Sequence, residues 1–140
     1  MRYWDSSALL PLLVLESTTS AMQALAISDR ELLTWWTTRV EAASALARLA
    51  REGGLDPATH QSTLARLARL AQGWAEVVPS EAVREQAARL LRLHPLRAAD
   101  ALQLAAAVVA SEHQPASLPF VTLDQQLAAA AQREGFPVLP

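Results

Sequence analysis

The chain contains no cysteine in 140 residues, which excludes a disulfide framework and any thiolate metal site and suits a reducing cytosol. Lysine is absent too. All twelve basic residues are arginine, so every side-chain cation is a planar, bidentate phosphate binder. Long apolar runs are also missing. Hydrophobic residues make up 51% of the chain, yet stretches such as Leu104–Ala110 are too short and too rich in alanine to cross a bilayer. The N-terminus has no basic region followed by an apolar run and a cleavage site, and Asp5 interrupts it early. These absences predict a cytoplasmic protein with no membrane span. A formal net charge of −2 by itself argues weakly against a nucleic-acid partner.

What is present is an alternation of short β-like runs with helical segments. Arg2–Trp4, Leu32–Trp36, Ala75–Val78, Phe120–Thr122 and Pro137–Leu139 read as strands. Between them, a short helix capped by Ser6 or Ser7 is expected to run to about Leu13, with Pro11 as a kink, and a second one covers Ala21–Ile27. Val40–Glu52 stops at Gly53-Gly54, and Asp56-Pro57 restarts a helix that runs to about Gly73. The two form a predicted helical hairpin. Glu81–Leu91, Leu96–Ala110 and Asp124–Glu134 complete the set, the last ended by Gly135. The alternation predicts one α/β domain over residues 1–140, with a mainly parallel sheet of four to five strands, helices on both faces and a protruding hairpin.

Four acids share one context in that scheme. Asp5 follows the first strand, Glu41 lies in the first turn after the second, Asp100 opens the Leu96–Ala110 helix, and Asp124 follows the fourth strand. In a parallel sheet the strand C-termini lie along one edge, so these acids converge on one crevice. Gathered carboxylates repel one another unless a cation sits between them, and with no lysine and few flanking arginines a hard divalent ion is the natural counter-charge. An all-oxygen set points to Mg²⁺ or Mn²⁺ and away from zinc. Taken singly, Asp5 and Asp124 read more readily as helix N-caps or first-turn acids than as ligands, and Glu41 more readily as an ordinary first-turn glutamate. Asp100 differs, because apolar neighbours on both sides leave its carboxylate needing a partner.

The segments "YWDSSALL", "TWWTTRVEAASALAR", "LHPLRAADALQLAAAV" and "FVTLDQQLAAAAQREGFPVL", in this order, resemble the successive signatures of the PIN-domain nucleases, specifically the VapC-type toxins. The resemblance spans nearly the whole chain. It implies a doubly wound α/β fold and a Mg²⁺/Mn²⁺ site built by Asp5, Glu41, Asp100 and Asp124 that hydrolyses RNA through a metal-activated water. Ser6 and Thr122 would support the ligands by hydrogen bonds. It also implies a cognate antitoxin and a homodimer, with the hairpin region as the contact surface. Two bound ions would turn the formal −2 into about +2, which removes the electrostatic objection to RNA. The departure is Trp35-Trp36, where smaller or hydroxyl residues are common.

Arg2, Arg39 and Arg97 are the cations nearest the acids in sequence and are candidates for phosphate contact, a surface ion pair being the plainer account of each. His94, ahead of Pro95, reads as structural, since metal-assisted hydrolysis needs no imidazole base. Two readings compete with a toxin: a housekeeping RNA-processing nuclease of the same type, and a non-enzymatic helical interaction module, which leaves the placement of four acids unexplained.

Overall fold

The computed structural model describes residues 1–140, and its sheet follows from the five apolar runs. β1 (Arg2–Trp4), β2 (Leu32–Trp35), β3 (Ala75–Val77), β4 (Phe120–Val121) and β5 (Val138–Leu139) pair throughout in parallel, in the order β3-β2-β1-β4-β5. The chain builds outward from β1 to β3, then returns to the other side of β1 for β4 and β5. The reversal leaves a topological switch point between β1 and β4, where ligands bind in sheets of this kind.

Seven α-helices cover the sheet: α1 (Ser6–Leu9), α2 (Thr19–Ser28), α3 (Thr38–Arg51), α4 (Pro57–Ala71), α5 (Glu81–Leu93), α6 (Ala98–Ala110) and α7 (Gln125–Arg133). Because side chains alternate along a strand, Tyr3 and Phe120 enter one core while Trp4 and Val121 enter the other. The first core holds α5, α6 and α7, with Leu90, Leu104, Leu127 and the run Ala105–Ala107 fully or almost fully buried. In it the Tyr3 and Phe120 rings stack with centroids 5.0 Å apart, and Phe136 meets Phe120 edge-on at 5.7 Å. The second holds α1 to α4 through Leu9, Met22, Leu46, Leu67 and Trp74.

Local chemistry explains where the elements depart from expectation. The helix capped by Ser6 or Ser7 and running to Leu13 is instead capped by Asp5, which accepts from the Ser7 amide, and becomes a 3₁₀ turn at Leu10–Leu12. Pro11 lacks the N–H that an α-helix needs there. α2 starts at Thr19, two residues earlier than expected; the Thr19 hydroxyl accepts from the Glu16 amide at 2.9 Å and donates to the Pro11 carbonyl at 2.9 Å. α6 starts at Ala98, with Leu96 held in a turn by a bond to the His94 carbonyl. The α3–α4 hairpin is anchored in the second core by Ala42, Leu46 and Leu67, while Val40 and Leu64 are its exposed large apolar residues. Trp35 is buried while its neighbour Trp36 is 55% exposed. No helix is long and apolar enough to cross a membrane.

Candidate active site

β1, β2 and β4 deliver Asp5, Glu41 and Asp124 to the edge that the topology predicts, and α6, following α5, carries Asp100. Asp5, 2% exposed, follows β1, and its backbone N–H extends the ladder to the Val121 carbonyl of β4. One carboxylate oxygen caps α1 through the Ser7 amide. The other accepts from the Thr122 hydroxyl at 2.5 Å and the Ser7 hydroxyl at 3.0 Å. Thr122 in turn accepts from the Asp124 amide at 3.1 Å, so one hydroxyl joins the Asp5 carboxylate to the backbone of Asp124. Asp124 caps α7 with a single oxygen, accepting from the Leu127 amide at 2.9 Å, and its second oxygen makes no hydrogen bond within the chain. The cap reading and the site reading of these two aspartates are therefore compatible.

Glu41, in the first turn of α3, is held from three elements. Its Oε1 accepts from the Thr37 hydroxyl at 2.8 Å, and its Oε2 from the Ser6 hydroxyl at 3.0 Å and from Gln103 Nε2 at 3.1 Å. Gln103, 1% exposed on α6, also donates to the Thr38 hydroxyl at 2.9 Å and accepts from the Tyr3 phenol at 2.7 Å. The chain Tyr3–Gln103–Glu41–Ser6 thus ties β1, α6, α3 and α1 together behind the acids. Asp100, three residues before Gln103, is half-buried one turn nearer the start of α6.

Electrostatics marks the same four residues as one group. Burial pushes the Asp5 carboxyl from its usual 3.8 up to about 6, against the pull of Thr122 and Ser7, with Glu41 adding a smaller upward push. Asp100 is also raised, first by burial, then by Asp124 and Glu41, while Arg97 acts in the opposite direction. Burial, with Asp5 and Glu41 behind it, likewise keeps the Tyr3 phenol protonated. Repulsion links Asp5 to Glu41, and Asp100 to both Asp124 and Glu41, with no compensating cation among them except the exposed Arg97.

The arginines otherwise disappoint the sequence reading. Arg2 donates to the Leu25 carbonyl at 2.9 Å and to Ser28 Oγ at 2.8 Å, at the end of α2 and not at the acids. Arg39 is exposed two residues before Glu41, and residues at that spacing point to different faces of a helix. His94 is committed to Glu134 at 2.7 Å, beside the Arg89–Glu134 ion pair at 2.6 Å. The sequence reading missed Ser7, Thr37, Thr38, Gln103 and the Tyr3 hydroxyl. Gln103 carried a signal: a carboxamide inside "ALQLAAA" must find a buried partner.

No three of these carboxylates stand close enough to ligate one ion as they are placed; the oxygens of Asp5 and Glu41 are turned to their hydroxyl and amide donors. The chemistry of the set nonetheless fits a hard divalent ion: carboxylate and hydroxyl oxygens only, no sulfur, no free imidazole, and raised carboxyl pKa values that such an ion would relieve.

No family model matches the sequence, and no curated protein matches it. Solved structures do. Mycobacterium tuberculosis VapC20, described as a sarcin-ricin loop cleaving toxin, is 20% identical with a TM-score of 0.68 over all of both chains. A toxin–antitoxin complex from Klebsiella pneumoniae and FitAcB from Neisseria gonorrhoeae are each 18% identical with TM-scores of 0.69, over 100% of this chain and 97% of theirs. The match over whole chains, together with the central parallel sheet, shows that this chain has the PIN-like fold of the VapC toxins.

Proposed function

We propose that the protein is a Mg²⁺- or Mn²⁺-dependent endoribonuclease acting as the toxin of a toxin–antitoxin pair. One observation carries the reading: Asp5, Glu41, Asp100 and Asp124 lie around the β1/β4 switch point, where burial and neighbouring acids raise the Asp5 and Asp100 carboxyls and Arg97 alone opposes the rise at Asp100. Structural support alone does not require such an arrangement, since four buried or half-buried acids at one edge weaken a fold. The fold of VapC20, a sarcin-ricin loop cleaving toxin, supports RNA as the substrate class, and the complex from Klebsiella supports an antitoxin partner. A homodimer is the expected assembly.

Asp5, Glu41, Asp100 and Asp124 would hold the ion, which when bound supplies an activated water and a counter-charge for the phosphodiester. The remaining work falls to the chain itself. Thr122 and Ser7 fix the Asp5 carboxylate in one orientation, and Ser6, Thr37 and Gln103 do the same for Glu41. Capping of α7 leaves Asp124 one oxygen free to face the site. Arg97, exposed at the start of α6, offers a guanidinium to a phosphate drawn towards Asp100.

Purified protein incubated with labelled total RNA, with and without Mn²⁺, tests the proposal. The wild type is expected to cleave only with the metal, and Asp100→Asn to lose at least about a thousandfold in rate. Equal cleavage by both, or none by the wild type freed of any antitoxin, overturns it.

A further inference from the structure

An open cleft of about 580 Å³ lies between α1 and α3, and Glu41 and Ser6 are among the residues that line it. Along α3 its wall continues through Ser44 and Arg48. Positions 41, 44 and 48 are three, four and seven apart, the spacing of one helix face. Side chains on a helix lean towards its N-terminus, so Arg48 reaches back over Ser44 in the direction of Glu41. The wall therefore presents a carboxylate, a hydroxyl and a guanidinium in succession, over about 10 Å of helix.

Arg48 is the only cation lining this cleft. It makes no ion pair with any residue, including Glu16, whose side chain lines the same cleft. Glu41, by contrast, already has three donors. A free guanidinium one and a half to two turns from the acid group, beside a hydroxyl and the apolar Leu123 and Val40, has the chemistry of an anchor for a sugar–phosphate backbone.

We infer that Arg48, assisted by Ser44, binds a phosphodiester of the RNA flanking the one presented to the acids, and so sets the path of the strand away from Glu41. This rests on the ribonuclease reading above. A flanking contact is made equally in the ground and transition states, so its loss raises KM and leaves kcat unchanged.

The test measures binding of a labelled single-stranded RNA by fluorescence anisotropy across a salt series, with Ca²⁺ replacing Mn²⁺ to suppress cleavage, and KM and kcat separately with Mn²⁺. Relative to wild type, Arg48→Ala is expected to weaken binding about tenfold and to reduce the slope of log K against log salt by about 0.7, the loss of one phosphate contact on a single strand. Arg48→Lys restores the slope and only part of the affinity, because it keeps the charge without the fork. Glu16→Gln tightens binding by removing a repulsive charge. The control Arg133→Ala, at the exposed end of α7, carries the same change in net charge and leaves the slope unaltered. An unchanged slope in Arg48→Ala, an effect equal to that of Arg133→Ala, or weaker binding in Glu16→Gln, which would make Arg48 a structural partner of Glu16, overturns the assignment of Arg48. A wild type that binds no RNA overturns the ribonuclease reading itself.

Discussion

Replacing Asp5 by asparagine should stabilise the metal-free protein at neutral pH while abolishing cleavage. The Asp5 carboxyl titrates near 6 in the fold against its usual 3.8, so the folded state holds this proton more tightly than the unfolded chain does. Stability tied to Asp5 is therefore greatest below about pH 4 and is lost as pH rises towards 6. Above that point the ionised side chain costs the fold about 3 kcal/mol relative to a neutral one. Asparagine avoids this cost and keeps one acceptor for the Ser7 amide, but it turns an amide group towards the Thr122 and Ser7 hydroxyls, which must reorient, at about 1 kcal/mol. The net expectation is a variant less stable than wild type by about 1 kcal/mol at pH 4 and more stable by about 2 kcal/mol at pH 7. At neutral pH that corresponds to a rise of roughly 6–10 °C in midpoint for a domain of this size. Thermal and urea unfolding of both proteins in EDTA, from pH 4 to 7.5, checks it. Taking the difference between the two proteins cancels the other titrating groups. A difference that does not change with pH, or that moves against the variant as pH rises, would refute the reasoning.

Other outcomes follow from the same contacts. Mn²⁺ should raise the unfolding midpoint of wild type with the logarithm of its concentration once above its dissociation constant and leave Asp5→Asn and Asp100→Asn nearly unmoved, which differential scanning fluorimetry reads directly. Tyr3→Phe leaves the buried Gln103 carbonyl without its donor and should cost about 1–3 kcal/mol in urea unfolding, with a smaller loss of cleavage than Glu41→Gln. Leu104→Ala, at a fully buried position, should cost about 2–5 kcal/mol and leave the pH profile of activity unchanged. Burial opposes ionisation of Glu134, but Arg89 and His94 outweigh it and lower its pKa. Its contribution is therefore present at neutral pH and lost on acidification through that lowered value, so Glu134→Gln should flatten the acid limb of the stability curve below about pH 4.5.

Strand positions were legible in the sequence because β-branched and aromatic runs mark them, and Asp5, Glu41 and Asp124, close behind β1, β2 and β4, fall on one edge once the sheet is parallel; Asp100 opens a helix that follows another helix, so its place needed the structure. The order β3-β2-β1-β4-β5 needed the structure, since alternation alone does not say where β4 inserts. Residues that act across the chain were harder to see. Ser7 and Thr122 are 115 positions apart and meet only because β1 and β4 are neighbours. Arg2 looked close to Asp5 in sequence, yet strand geometry sends it to the end of α2. Arg48 stands seven residues from Glu41, a spacing visible from the start, but only the opening between α1 and α3 gives that face an exposed cleft to line.

The central claim is that four carboxylates at the β1/β4 switch point exist to hold a divalent ion. Crystals of the protein grown with Mn²⁺, measured for anomalous scattering, address it directly. The account predicts an anomalous peak within about 2.3 Å of carboxylate oxygens of Asp5 and Asp100, with Glu41 and Asp124 contacting it directly or through water, and no such peak in Asp100→Asn. An empty switch point at saturating Mn²⁺, or a peak bound elsewhere on the chain, would contradict it.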